Sequence, residues 1–206
     1  GVLGVAMNSR ELAASEFSLT AVANSTVFFV GLVQPKEVVG VFAAIEKALR
    51  AAASTWTPLI QAMQPRVVQA WSHNPGRVPE LLLPWSRRVA GLSLASGLVG
   101  IVLTPWALHL LFGRTIEGYE AWGQILCVWL PFAVINAFLA QWWWIGSGRT
   151  VGYARRVSPG VTVQAVLFFT LTSAAGVIWG IWCWVLCEVL MTGLLLFRCG
   201  WLDDAF

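Results

Sequence analysis

The chain has 206 residues, of which 58% are hydrophobic and 11% charged. Soluble domains carry about 25% charged residues, and a mean hydropathy of +0.72 widens the gap, so the composition excludes an ordinary soluble domain and indicates an all-α integral membrane protein. The net charge of +3 is spread along the chain without the basic patch that nucleic acid requires, so no nucleic-acid partner is expected.

The chain opens on Gly1 with neither a charged leader nor a cleavage site after it. It reads as beginning inside a longer protein, with residues 1–16 a connector from an absent upstream region. Six spans are then expected, at about 17–33, 39–68, 87–112, 121–145, 157–174 and 176–197. They form one transmembrane lobe over 17–198, followed by a cytoplasmic tail at 199–206. The first span sits at the lower length limit for crossing a bilayer. The second runs past 40 Å if straight, at about 1.5 Å per residue, so it must tilt, bend or project. Pro58 is its expected kink, because it cannot bond back to the carbonyl of Ser54. Trp71–Trp85 (WSHNPGRVPELLLPW) reads as a proline-rich loop. The third span carries a small-residue face at Ser93, Gly97 and Gly100, suited to close helix contact. Pro131 interrupts the fourth, and Gly176-x-x-x-Gly180 opens the sixth.

Six spans place both termini on one side. Arg66, Arg77, Arg87 and Arg88 cluster between spans two and three, and Arg149, Arg155 and Arg156 between spans four and five. The opposite side has Lys36 and Arg114, offset by Glu37, Glu117 and Glu120. The positive-inside rule therefore puts both termini in the cytoplasm. Trp71, Trp85, Trp142–Trp144 and Trp201 then fall at inner helix ends, and Trp106, Trp122 and Trp179 at outer ones, as interfacial belts require. Trp56 and Trp129 lie deeper and are expected to pack or to line an interior surface.

The unusual stretch is Val39–Arg66. Glu46, Arg50, Ser54, Thr57, Gln61 and Gln64 follow one another at three- or four-residue intervals, which keeps them on one stripe of a helix. Lipid does not solvate such a stripe, so it must face protein or water. One reading is a self-neutralising pair, since Glu46 precedes Arg50 in the favourable i, i+4 orientation. The other is a transport path. Lys47 stands about 100° round the helix and leaves the cluster positive, and the stripe runs on past the pair. Cationic groups suit phosphate, and amides and hydroxyls suit sugar hydroxyls. Asn24 on the first span shares a face with Thr20 that is able to reach the same cavity. Arg66 and Arg77, at the inner end, are placed for first contact with a ligand. Asn136 and Gln141 on the fourth span are similar polar candidates, and plain helix–helix hydrogen bonding is the other reading for these two as for Thr20 and Asn24. Glu188, acidic in an apolar run, is a candidate proton or cation site, with pairing to a neighbouring helix as the other reading. His109 reads as interfacial and His73 as solvated.

Cys127, Cys183, Cys187 and Cys199 form no CxxC pair and have no histidine nearby in sequence; they read as packing residues. No nucleophile elbow, P-loop, dinucleotide fingerprint or metal-ligand cluster appears, so neither an enzyme, a cofactor nor a metal site is expected.

Gly40-Val41-Phe42, Glu46-Lys47, Arg50-Ala51, Pro58, Gln61-Ala62 and Pro65-Arg66, together with Ile125-Leu126, Leu130-Pro131-Phe132 and Gly148-Arg149, resemble bacterial oligosaccharide flippases. These belong to the multidrug/oligosaccharidyl-lipid/polysaccharide exporter superfamily. The resemblance covers residues from about 10 to 200. It implies the C-terminal lobe of a two-lobe, alternating-access exporter with a cationic central cavity in the bacterial inner membrane. The implied substrate is an undecaprenyl-pyrophosphate-linked oligosaccharide, moved from the inner to the outer leaflet for polysaccharide biosynthesis. The implied partners are the missing N-terminal lobe, membrane lipid and a polysaccharide polymerase. In that setting Lys47 and Arg50 would attract pyrophosphate, Thr57 and Gln61 would contact sugar or line the path, and Glu46 would orient Arg50. The run Gln141-Trp142-Trp143-Trp144 departs from the family, which has smaller aliphatics there. A drug or metabolite exporter of the same superfamily and a membrane scaffold or enzyme subunit without a path are the rival expectations.

Overall fold

The computed structural model describes residues 25–197. Among the described residues the chain is helical with no strand. The helices are α1 (Thr26–Val33), α2 (Lys36–Ser54), α3 (Thr57–His73), α4 (Val78–Phe112), α5 (Glu120–Leu139), α6 (Thr150–Ala175) and α7 (Val177–Phe197). A π-helical turn, Ala140–Ile145, extends α5. Residues 17–24, the first part of the expected first span, and the 199–206 tail lie outside the described residues.

Four helical stretches are long and apolar enough to cross a membrane: Pro75–Ile116, Glu120–Ile145, Val157–Ala175 and Val177–Leu196. This fits a multi-pass membrane protein. In the most apolar part of Glu120–Ile145, 61% of residues are buried inside the bundle, against 17% for Pro75–Ile116. α5 is therefore the central post, and α4 is a peripheral helix that turns Leu98, Val102, Trp106 and Leu110 outward.

The expected second span divides. Thr55 and Trp56 bond back only to Ala52 and Ala53, three residues earlier, and the helix breaks there into a 19-residue α2 and a 17-residue α3. Pro58 sits in the first turn of α3, where its missing N–H costs nothing. It thus marks the start of a new helix at the position expected for a kink.

The segment Trp71–Trp85, expected as a loop, is largely helical. Asn74 alone leaves the helical region (φ −152°, ψ 77°), a short 3₁₀ turn follows at Pro75–Arg77, and α4 begins at Val78. Pro79 falls in its first turn, where proline is tolerated, and Glu80 complements the helix dipole. Helix α4 has 35 residues, about 52 Å at 1.5 Å per residue, so it exceeds a hydrocarbon core of about 30 Å. Pro131 does not interrupt α5.

Small residues set the closest helix contacts. Ser93 and Gly97 are buried on α4, and a Cβ at Gly97 would come within 3.0 Å of Cys127 O and Pro131 Cδ. Across the same seam Thr104 Oγ1 and Cys127 Sγ are 2.9 Å apart. α6 and α7 meet through Gly180, where a Cβ would strike Thr172 and Phe168. Gly176 makes the turn between them at φ +96°, a conformation open to glycine.

The three consecutive tryptophans are a correction to the interfacial-belt expectation. Trp142, Trp143 and Trp144 are buried. The Trp142 indole N–H donates to Ile60 O at 2.9 Å, and the Trp71 N–H donates to Trp142 O at 3.0 Å. The π turn thus fastens α3 to the end of α5, and π turns often mark such special positions. Among the described residues, the outward tryptophans are Trp106, Trp179 and Trp182.

Candidate functional site

The charged residues of α2 meet the rest of the bundle at one point. Phe42, Ile45 and Glu46 face inward from α2. Glu46 is 5% exposed, and its Oε1 accepts from Thr26 Oγ1 of α1 at 2.6 Å and from Arg50 Nε at 2.8 Å. Arg50 Nη2 also lies 2.8 Å from that oxygen. An apolar interior tolerates a carboxylate only when it is so compensated, and the favourable i, i+4 order supplies the arginine locally.

The Arg50 guanidinium then continues over two indoles, 5.2 Å from the Trp184 ring centre and 6.0 Å from that of Trp129. These are cation–π distances, and they hold the charge where α5 and α7 touch. On α7, Glu188 Oε2 accepts from Asn136 Nδ2 of α5 at 2.6 Å. Thr192 Oγ1 is 2.8 Å from both Asn136 Oδ1 and Glu188 O. The Trp129 indole N–H is buried and has no hydrogen-bond partner among the described residues.

Arg50 and Glu188 both line a cavity of about 270 Å³. Its walls are aromatic: Phe29, Trp129, Tyr153, Phe168 and Trp184, with Thr26 and Gln164 adding polar atoms. A second cavity of about 230 Å³ lies at the α2–α3 break and is bordered by Arg50, Ser54, Trp56, Thr57 and Trp129. Arg50 and Trp129 thus belong to both walls. Within the bundle the arrangement can hold an aromatic or apolar group beside one cation and one carboxylate.

The remaining residues of the stripe, and Lys47 and Arg66 beside it, are placed differently. Lys47 is exposed on α2, one position round from Glu46. Ser54, Thr57, Gln61 and Arg66 are exposed and Gln64 is half-buried. The structure therefore brings together Glu46, Arg50 and Glu188, joins Thr57 to Arg50 through the second cavity, and leaves Lys47, Gln61 and Arg66 on the outer face of α2 and α3. Asn24 lies outside the described residues. Among the described residues, no group of histidine, cysteine or acidic side chains gathers in a metal-binding arrangement.

Sequence reasoning placed Trp129 inside and named Asn136, but it did not join Asn136 to Glu188, nor Thr26 to Glu46. The partners in each pair are on different helices, 52 and 20 residues apart, and no local periodicity reports such meetings. The chain matches no protein-family model, no curated protein and no solved structure.

Proposed function

We propose that this chain is one lobe of a carrier that moves a lipid-linked, pyrophosphate-bearing oligosaccharide across the bacterial inner membrane. The single observation behind this reading is the uncovered polar face of α2 and α3. Lys47, Ser54, Thr57, Gln61 and Arg66 stand exposed in a bundle whose other outward surfaces are rich in leucine, valine and tryptophan. A membrane chain with such a face needs water, a polar ligand or another polar protein surface against it. In the proposed carrier an upstream lobe lies across this face, and the space between is the path. Lys47 and Arg66 offer charge to the pyrophosphate, Thr57 and Gln61 meet sugar hydroxyls, and Arg50, anchored by Glu46, reaches the path through the α2–α3 break. Glu188, with Asn136 and Thr192, is the proposed ion-coupling position. Six spans with both termini cytoplasmic complete the proposal, with α2 and α3 crossing as a broken helix.

The test is neutralisation of Lys47 in the full-length protein. Lys47 is exposed, so Lys47→Ala is expected to abolish surface polysaccharide while the amount of membrane-inserted protein stays unchanged. Unchanged polysaccharide would sink the assignment. A second reading, an exporter of aromatic cations, draws on the aromatic cavity beside Glu188. Accumulation of cationic dyes separates the two, because the lipid carrier is expected to leave dye levels unaltered.

A further inference from the structure

A groove of about 360 Å³ lies where α2 begins and α4 turns into α5. Gly40 and Ala44 of α2 form one wall, and Phe112 and Ile116 form the other. Gly40 and Ala44 are four residues apart and share a helix face. A Cβ built at Gly40 meets nothing within 4 Å, whereas one at Gly97, Gly123 or Gly180 collides with a neighbouring helix. Gly40 is thus not a packing glycine. Its missing side chain leaves an open trough beside apolar walls.

The rim of the groove is polar. Lys36, Glu37 and Tyr119 border it. Lys36 and Glu37 are exposed, and neither has an ion-pair or hydrogen-bond partner among the described residues. The apolar stretches of α4 and α5 end here, at Ile116 and Glu120. In a bilayer the rim therefore stands at headgroup level and the trough at the level of the first acyl carbons, a depth that tyrosine favours. An anionic lipid would satisfy Lys36 but bring a second negative charge to Glu37. An uncharged lipid would leave both side chains unanswered. A headgroup carrying phosphate and a primary ammonium answers both, since each contact is a charge-assisted hydrogen bond.

We propose that this groove binds one phosphatidylethanolamine-type lipid, with its phosphate on Lys36, its ammonium on Glu37 and an acyl chain along Gly40 and Ala44. The assignment rests on the helices crossing a bilayer and is independent of what the chain transports.

Native mass spectrometry tests it, using the purified chain in detergent micelles doped equally with phosphatidylethanolamine and phosphatidylglycerol. The wild-type chain is expected to retain one phosphatidylethanolamine about tenfold more than phosphatidylglycerol, the scale of one charge-assisted contact. Glu37→Gln is expected to abolish that preference, and Lys36→Ala to weaken retention of both lipids by about tenfold. Gly40→Leu fills the trough and is expected to release the lipid. It also replaces a helical glycine with a stronger helix former, so thermal unfolding checks that the fold is intact. A folded Gly40→Leu chain that keeps phosphatidylethanolamine at the wild-type level would overturn the proposal. So would a wild-type chain that retains the two lipids equally or retains neither.

Discussion

Glu46 and Gln61 stand on the same polar stripe of the sequence, yet Glu46 is 5% exposed with a threonine and an arginine on one oxygen, whereas Gln61 is at the surface. The stripe changes character at the Thr55–Trp56 break. Above it, α1, α5 and α7 close around α2 and turn the polar groups into internal partners. Below it, the π turn of α5 holds α3 by its buried side, through Trp142 and Ile60, and leaves the polar side outward. One periodic pattern thus serves two purposes. The upper half holds helices together, and the lower half remains available to something outside the described residues.

Five substitutions would break or sharpen this contrast, each read as stability to unfolding in mixed micelles. Arg50→Ala strands the buried Glu46 carboxylate and is expected to cost about 3 kcal/mol, the low end for a broken buried pair because Arg50 is partly exposed. Glu46→Ala/Arg50→Ala together should recover part of that loss, and a double variant no better than the single one would show that the pair is not the source. Trp142→Phe removes the bond to Ile60 O and leaves a gap in a site of 0% exposure; a loss of about 2 kcal/mol is expected. Thr26→Val keeps the shape but deprives Glu46 of one donor, for about 1.5 kcal/mol. Gln61→Ala is expected to change stability by less than about 0.5 kcal/mol.

Accessibility supplies the matching measurement. Cysteines placed at Gln61 and Thr57 are expected to react with a water-soluble thiol reagent, and a cysteine placed at Ile45 to resist it. Equal protection at all three would remove the distinction and favour a scaffold whose α3 face is sealed against protein.

Much of the fold was legible because hydropathy and helical period are local. The Ser93–Gly97–Gly100 face announced a close helix contact, which the fold makes with α5, and Glu46 with Arg50 announced an ion pair at i, i+4. The extent of α4 was misjudged because Pro79 and Pro84 read as loop residues; a proline in a first helical turn has the same composition signal as one in a loop. Trp142–Trp144 were misjudged because indole suits both a headgroup layer and a buried hydrogen bond, and the choice depends on whether an acceptor such as Ile60 O stands opposite.

By itself the sequence determined that the chain is apolar, helical and interrupted by one charged stripe, since these follow from residue type and spacing alone. The tertiary structure decided which part of that stripe is buried. Only the folded chain brings Thr26 to Glu46, Trp129 and Trp184 to Arg50, and Asn136 to Glu188. A charge in an apolar bundle is costly or stable according to partners that lie far away along the chain.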